Sequence, residues 1–251
     1  MQVPMSPVRI LKRAVKLYGE KTAVVDGEMR LSYVQVQNRV NRVIHAVREM
    51  AIPREGRIAI LDYNTHRYME LYFGMAASGC VLSPLNTRIS AEEYIYILKD
   101  SEAEGIIFHY DFKHVMAQVQ KSVPTLKYFY IADGPADESW ITGTYEALID
   151  NADDNPVIVE PEDENAMLNL YYTSGTTGNP KGVMLTHRNI YANALSAIIS
   201  FKVDDATVWH HIAPLFHLAN AFFMWTITYQ GGVPCHAATI YPQRCAADHA
   251  R

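Results

Sequence analysis

The stretch Tyr172-Thr173-Ser174-Gly175-Thr176-Thr177-Gly178-Asn179-Pro180-Lys181-Gly182-Val183 decides how this chain is read. From Thr173 to Gly178 it holds only Ser, Thr and Gly, and Pro180 and Lys181 follow closely. This composition predicts neither a helix nor a central strand. The glycines admit positive φ and close backbone approach, and Pro180 fixes φ and lacks an N–H. Backbone N–H groups, four Ser/Thr hydroxyls and one ammonium are concentrated in a short bend, which suits a polyphosphate. Apolar runs flank it, Met167 to Tyr172 before and Val183 to Leu185 after, and each reads as a strand.

Two other phosphate loops fit less well. A Walker-type loop needs Gly-Lys-Ser/Thr opening a helix, whereas Lys181 leads into Gly182 and a β-branched, apolar strand. A dinucleotide fingerprint needs G-x-G-x-x-G after a strand, and none occurs. A flexible surface loop uses the same residues, but seldom between two apolar strands with Pro-Lys appended.

Working outward, strands and helices alternate. Leu11 to Tyr18 reads as a helix. Ala23 to Val25 and Met29 to Leu31 flank Asp26-Gly27-Glu28 as a hairpin. Ser32 with Gln35 and Ser90 with Glu93 are capping boxes, each ahead of apolar residues at helical spacing. Strands are expected at Arg57 to Leu61, Cys80 to Ser83, Ile106 to His109, Tyr128 to Ala132 and Val208 to Ile212. Helices are expected at Arg67 to Ser78 with Gly79 as C-cap, at Phe112 to Val119, behind the Thr186 cap, and at Ala221 to Tyr229. This rhythm predicts an α/β fold with layered parallel or mixed sheets flanked by helices. The acidic stretch Asn151 to Asn165, with Pro156 and Pro161, is a linker or a surface loop. Residues 1–165 are therefore expected to form an N-terminal α/β subdomain. Residues 166–251 would begin a second, which carries the phosphate-type bend.

The bulk composition narrows the partners. With 251 residues, 22 basic and 27 acidic, the chain has no basic excess for nucleic acid. Cys80, Cys235 and Cys245 are odd in number, widely spaced and without C-x-x-C. That argues against a disulfide framework or zinc ribbon and fits a reducing, cytoplasmic compartment. No Asp, Glu, Lys or Arg occurs between Asp205 and Arg244, but Pro214, His217, Asn220 and Gly231-Gly232 interrupt the apolar run. It reads as buried helix and strand, with membrane contact at most peripheral.

The bend resembles the signature of the adenylate-forming superfamily, acyl-CoA synthetases among them. Thr22 to Asn41, Arg57 to Leu61 with Asn64, Tyr72 to Gly74 with Gly79, and Pro84 to Arg88 resemble other segments of that family. So does Pro214-Leu215-Phe216-His217, although Asn220 stands where that motif usually ends in Gly. The resemblance runs from about Ser6 to about Gly232. It implies ATP, Mg2+ and coenzyme A as cofactors and a small carboxylic acid as substrate. The acid forms an acyl-adenylate with release of pyrophosphate, and a thiol then takes the acyl group.

It further implies that Thr173, Ser174, Gly175, Thr176, Thr177, Gly178 and Lys181 bind the departing phosphates. His217 would be the catalytic residue beside the carboxylate, partly buried, and Phe216 with His217 would line the substrate side. For Lys181 the plain alternative is a solvated loop lysine, and for His217 a satisfied core histidine. Phe216 and Trp225 could line an acyl tunnel or be simple core. His210, His211 and His217 invite a metal reading, but no carboxylate or cysteine lies near them at ligand spacing, so no protein-held metal is expected.

Later motifs of the family are not found after Gly232, and Val233 to Arg251 reads as departing from the family near Pro234. A truncated N-terminal part is therefore expected, weakly active or inactive by itself. The apolar Leu218 to Tyr229 segment favours a medium or long-chain fatty acid, or an aryl acid. The competing expectation is a non-catalytic module that forms a homodimer through an exposed sheet edge or complements a separate C-terminal half.

Overall fold

The computed structural model describes residues 3–157, 160–161, 163–173 and 178–236. Two sheets carry the architecture. The first is four-stranded, in the order β10-β11-β1-β2. It comprises β1 (Thr22–Asp26), β2 (Met29–Ser32), β10 (Val208–His211) and β11 (Val233–His236). The second is seven-stranded, in the order β7-β6-β5-β3-β4-β8-β9. Its strands are β3 (Arg57–Leu61), β4 (Val81–Pro84), β5 (Gly105–Phe108), β6 (Tyr128–Ile131), β7 (Gly143–Thr144), β8 (Met167–Thr173) and β9 (Lys181–Thr186). Among the described residues only the hairpins β1–β2 and β8–β9 are antiparallel, so both sheets are mixed. Both sheets also take strands from either side of residue 165.

The helices are α1 (Val8–Tyr18), α2 (Tyr33–Glu49), α3 (His66–Ser78), α4 (Ala91–Asp100), α5 (Lys113–Ser122), α6 (Tyr145–Asp150), α7 (His187–Phe201) and α8 (Leu218–Gln230). Local chemistry sets their ends. Ser32 and Ser90 each close a full capping box, with Gln35 and Glu93 answering from N3. Gly79 ends α3 at φ 81°, a left-handed turn that costs glycine nothing.

Alternation along β3 explains the layers. Ile58 and Ile60 face α2 and α3, while Ala59 and Leu61 face α4 and α5. Each fully buried Ile or Leu contributes about 1.5–3 kcal/mol. The helix after β3 thus lies on one face of the sheet, and those after β4 and β5 lie on the other. In open parallel sheets such a split opens a crevice at the carboxyl ends of the strands. From His66 to Ala77, α3 is buried on every side. It packs against α8 through Trp225, whose ring meets Phe73 at 4.5 Å and Tyr72 at 5.7 Å.

One sequence expectation changes, and two regions gain detail. Val233–His236 does not leave the fold: it is an inner strand, parallel to β10 and β1, with Pro234 opposite Trp209 and Cys235 opposite Val25. Pro234, Cys235 and His236 are buried there, although the segment is too short to show a strand period in the sequence. The short β7 and α6 lie where no periodicity could announce them. In the stretch read as a linker or a surface loop, residues 151–157 lie along α2, where Asn41 donates to the Asp154 carbonyl at 2.9 Å.

Candidate functional site

Strands β8 and β9 run antiparallel, with Thr173 opposite Lys181 and Tyr172 opposite Gly182. The two strands are therefore the arms of a hairpin, as expected from the flanking runs. Thr173, Gly178 and Lys181 are exposed. Ser174, Gly175, Thr176 and Thr177 lie outside the described residues. A Cβ added to Gly178 would meet nothing within 4 Å, so open space lies before it. Gly182 is different: a Cβ there would sit 3.1 Å from Leu170 and 3.3 Å from the Tyr172 ring. The absent side chain lets that ring lie across the hairpin, where the Tyr172 hydroxyl donates to Asp100 at 2.6 Å.

Since β8 is parallel to β4, with Asn169 opposite Leu82, Thr173 emerges at the carboxyl edge of the seven-stranded sheet. The Pro214–His217 corner reaches the same edge. Tyr171, two residues before Thr173, shares a 2.7 Å hydrogen bond with the Tyr72 hydroxyl. Tyr72 also donates to the Leu215 carbonyl at 3.0 Å. One buried hydroxyl pair thus ties the phosphate-type hairpin to the corner carrying Phe216 and His217. All of the strands in the smaller sheet that end here are parallel: His211, His236 and Asp26 stand side by side at the ends of β10, β11 and β1.

The corner presents an apolar floor and a polar rim. Phe216 is buried, and the exposed His217 ring lies 4.5 Å from it, tilted by 52°. The expectation of a partly buried or core histidine fails here. His217 is the N-cap position of α8, with φ −97° and ψ 127°, and that geometry turns it outward. Trp225, on α8, is buried against Phe73 and Tyr72 of α3 and belongs to the core.

Asn220 earns its place by hydrogen bonding. Its Oδ1 accepts from Trp209 Nε1 at 3.4 Å and contacts His211 Nδ1 at 3.1 Å, while its Nδ2 donates to the Ala213 carbonyl. A glycine could make none of these bonds. His211 is buried on Asn220 and stacks on His236 at 5.2 Å, whereas His217 is exposed, so the three histidines of the metal reading do not converge. Among the described residues no group of three or more His, Cys, Asp or Glu could hold a metal ion. Sequence reading assigned no role to Asn64 or Asn220. Their partners lie in other segments or are backbone groups, so no local pattern marks them.

Beside the corner lies a charged cluster. The Glu70 carboxylate accepts from Arg39 Nε at 2.6 Å and from the Tyr145 hydroxyl at 2.7 Å. Arg39 also meets Glu146 at 2.9 Å. His66 Nδ1 meets Asp26 at 2.7 Å. Burial alone would lower the His66 pKa, but Asp26, Glu146 and Glu70 carry it up to about 9. Glu146, opposed by burial but drawn by His66 and Arg39, falls to about 2. Burial presses His236 down to about 4. The cluster joins β1, α2, α3 and α6 behind the site.

Two mainly parallel sheets thus bring the strands that flank the Ser/Thr/Gly bend and the histidine corner to carboxyl edges, where open α/β sheets form their crevices. The chain belongs to the AMP-binding enzyme family, whose model matches residues 11–248. That match continues past Gly232, the end of the resemblance legible in the sequence. The chain is 32% identical over 225 residues to a long-chain-fatty-acid–CoA ligase of Thermus thermophilus, covering 87% of this chain and 40% of that protein. It is 29% identical over 226 residues to 4-hydroxybutyrate–CoA ligase 2 of Metallosphaera sedula, covering 88% and 41%. The fold matches that of an anthranilate CoA ligase solved with anthranoyl-AMP, with TM-score 0.89 and 21% identity, over 99% of this chain and 48% of that one. The chain thus spans about two fifths of the length of these curated relatives. Among the described residues no helix is long and apolar enough to cross a membrane.

Proposed function

We propose that this chain supplies the phosphate side and the acyl side of an ATP-dependent carboxylate-activating site of the acid–thiol ligase type. The observation that carries the reading is the placement of the Thr173–Lys181 hairpin and the Phe216–His217 corner on one edge, tied through Tyr171 and Tyr72. In this reading Thr173, Ser174, Gly175, Thr176, Thr177, Gly178 and Lys181 hold the β- and γ-phosphates. The exposed hairpin and the open space before Gly178 fit such a guest. A carboxylate oxygen attacks the α-phosphorus, the bond to the β-phosphate oxygen breaks, and its electron pair leaves with pyrophosphate. Donors aimed at that oxyanion stabilise the transition state as charge builds. Mg2+ would come with the nucleotide and neutralise phosphate charge; the coenzyme A thiol would then form a bond to the acyl carbon as the bond to the adenylate oxygen breaks and AMP leaves with the electron pair.

His217 would orient the carboxylate, and Phe216 would border the acyl chain. The acids in the names of the relatives, 4-hydroxybutyrate, long-chain fatty acid and anthranilate, support a fatty or aryl carboxylic acid. The test compares AMP with non-hydrolysable fatty-acyl and benzoyl adenylate analogues by calorimetry. An acyl side predicts at least about tenfold tighter binding of one analogue, the value of two buried methylenes. Equal affinity for AMP and both analogues would contradict it.

A second reading, pairing with another polypeptide through a sheet edge, is favoured by β9. It is the outer strand of its sheet and exposes Met184 by 67%. Sedimentation across a concentration series tests it, and a monomer throughout would remove self-pairing.

A further inference from the structure

The corner that carries Phe216 and His217 has little structure of its own. Pro214 offers no N–H, and the local backbone bonds are few: the Ile212 N–H to the His210 carbonyl at 2.9 Å, the His217 N–H to the Pro214 carbonyl at 3.1 Å, and the Asn220 and Ala221 N–H groups of the first turn of α8 to the His217 carbonyl, each at 3.1 Å. Something outside the segment must fix it. Asn64, three residues beyond the end of β3, reaches across to it. Its Nδ2 donates to the carbonyls of His211 at 2.6 Å and Ala213 at 2.8 Å. Its Oδ1 accepts from the Leu215 N–H at 2.8 Å. One amide thus grips alternate residues of the segment, as a neighbouring strand would, and joins the carboxyl end of β3 to that of β10.

Asn64 is itself held in place. Asp62 accepts from the Tyr63 N–H, the Thr65 hydroxyl and Arg67 Nε, all at 2.8 Å. These bonds fix the short loop that aims the Asn64 amide. Asn220 supports the corner from the other side through the same Ala213 carbonyl. The side-chain chemistry is narrow. Aspartate would set a carboxylate against two carbonyls, and alanine would leave the Leu215 N–H without an acceptor on a fully buried residue.

We propose that Asn64 is a positioning residue of the acyl side, acting beside Tyr72 on the Leu215 carbonyl and Asn220 on the Ala213 carbonyl to set where Phe216 and His217 stand against the substrate carboxylate; the inference rests on the acyl-site reading above. Asn64 touches no reacting atom and acts through the corner.

The test measures three properties in the wild type and in Asn64→Ala: amide exchange at residues 211–217, affinity for the acyl-adenylate analogues, and affinity for pyrophosphate. In Asn64→Ala, exchange at Leu215 should quicken by about tenfold or more, the weight of one orphaned buried N–H. Analogue affinity should fall by about tenfold, and pyrophosphate affinity should stay within about twofold, because the hairpin is untouched. In a His217→Ala background the analogue loss on adding Asn64→Ala should shrink to about twofold, since the two residues act in series. Asn64→Asp, which keeps the acceptor and loses both donors, is expected to weaken analogue binding with Leu215 still protected. It also stands in should the alanine variant not fold. Unchanged analogue affinity in Asn64→Ala, or an undiminished loss in the His217→Ala background, would overturn the proposal while leaving the acyl-site reading intact. A wild-type chain that bound no analogue would overturn both, and the exchange result would then mark Asn64 as a clamp of the fold alone.

Discussion

Replacing Glu70 by Ala should cost about 3–5 kcal/mol of folding stability, the range for leaving one partner of a buried ion pair alone. The Glu70 side chain is 1% exposed and that of Arg39 18%. Glu70 holds Arg39 by Nε at 2.6 Å and by Nη2 at 3.2 Å, and it accepts the fully buried Tyr145 hydroxyl at 2.7 Å. Glu70→Ala removes all three bonds at once. Arg39 keeps only Glu146, and Tyr145 is left with an orphaned donor worth about 1–3 kcal/mol, part of the same total because the bonds are coupled. Urea unfolding reads the effect as a lowered midpoint, which with a slope of about 2–3 kcal/mol/M falls by about 1–2 M. Glu70→Gln keeps an oxygen and the side-chain volume, so it should lose less than half as much. The double variant Arg39→Met, Glu70→Leu removes both charges and should recover part of the loss. If Glu70→Ala cost below about 1 kcal/mol, the cluster would not be joining β1, α2, α3 and α6, and this reasoning would be wrong.

Three other outcomes follow from the same structure. Stability against urea should peak near neutral pH, with two opposed causes. His66, raised to about 9 from 6.5, stabilises fully below 6.5 and loses that contribution as pH rises toward 9, whereas His187 and His236, lowered to about 4, stabilise fully above 6.5 and lose theirs as pH falls toward 4. A midpoint that stayed flat from pH 4.5 to 9 would speak against both. Gly74→Ala should destabilise by about 1–3 kcal/mol even though alanine favours helices, because a Cβ there would lie 2.4 Å from Val43 Cγ1 and 2.9 Å from its stiff Cβ; thermal melting decides, and a raised midpoint would refute the close packing of α2 on α3. Ser90→Ala should cost about 1 kcal/mol through loss of the α4 capping box, measured in the same way, and no change would show that the box contributes nothing.

The hairpin, the two capping boxes and the Gly79 stop were legible in the sequence because each is written within a few residues. The alternation behind the larger sheet was legible for the same reason, except at the two-residue β7. What escaped is written elsewhere in the chain. Val233–His236 contains a proline and a histidine and looks foreign, yet β1 and β10 dictate its conformation from both sides. Asn64 meets its three partners about 150 residues later, so nothing beside it in sequence announces a role. His217 was expected partly buried, but its position ahead of the first turn of α8 decides its exposure, and that depends on where the helix begins. Trp225 looked equally suited to a tunnel and to a core, and only the neighbouring Phe73 and Tyr72 distinguish the two.

The central claim is that the Thr173–Lys181 hairpin grips the phosphates released when a carboxylate is activated. Calorimetric titration of pyrophosphate into the wild type, Lys181→Ala and Lys202→Ala tests it most directly. Lys202 is an exposed lysine at the end of α7 and serves as the control for charge alone. The account predicts saturable binding by the wild type and by Lys202→Ala, weakened about 10- to 100-fold in Lys181→Ala, the worth of one charge-assisted contact. Binding equally strong in all three proteins, or absent from the wild type, would contradict it.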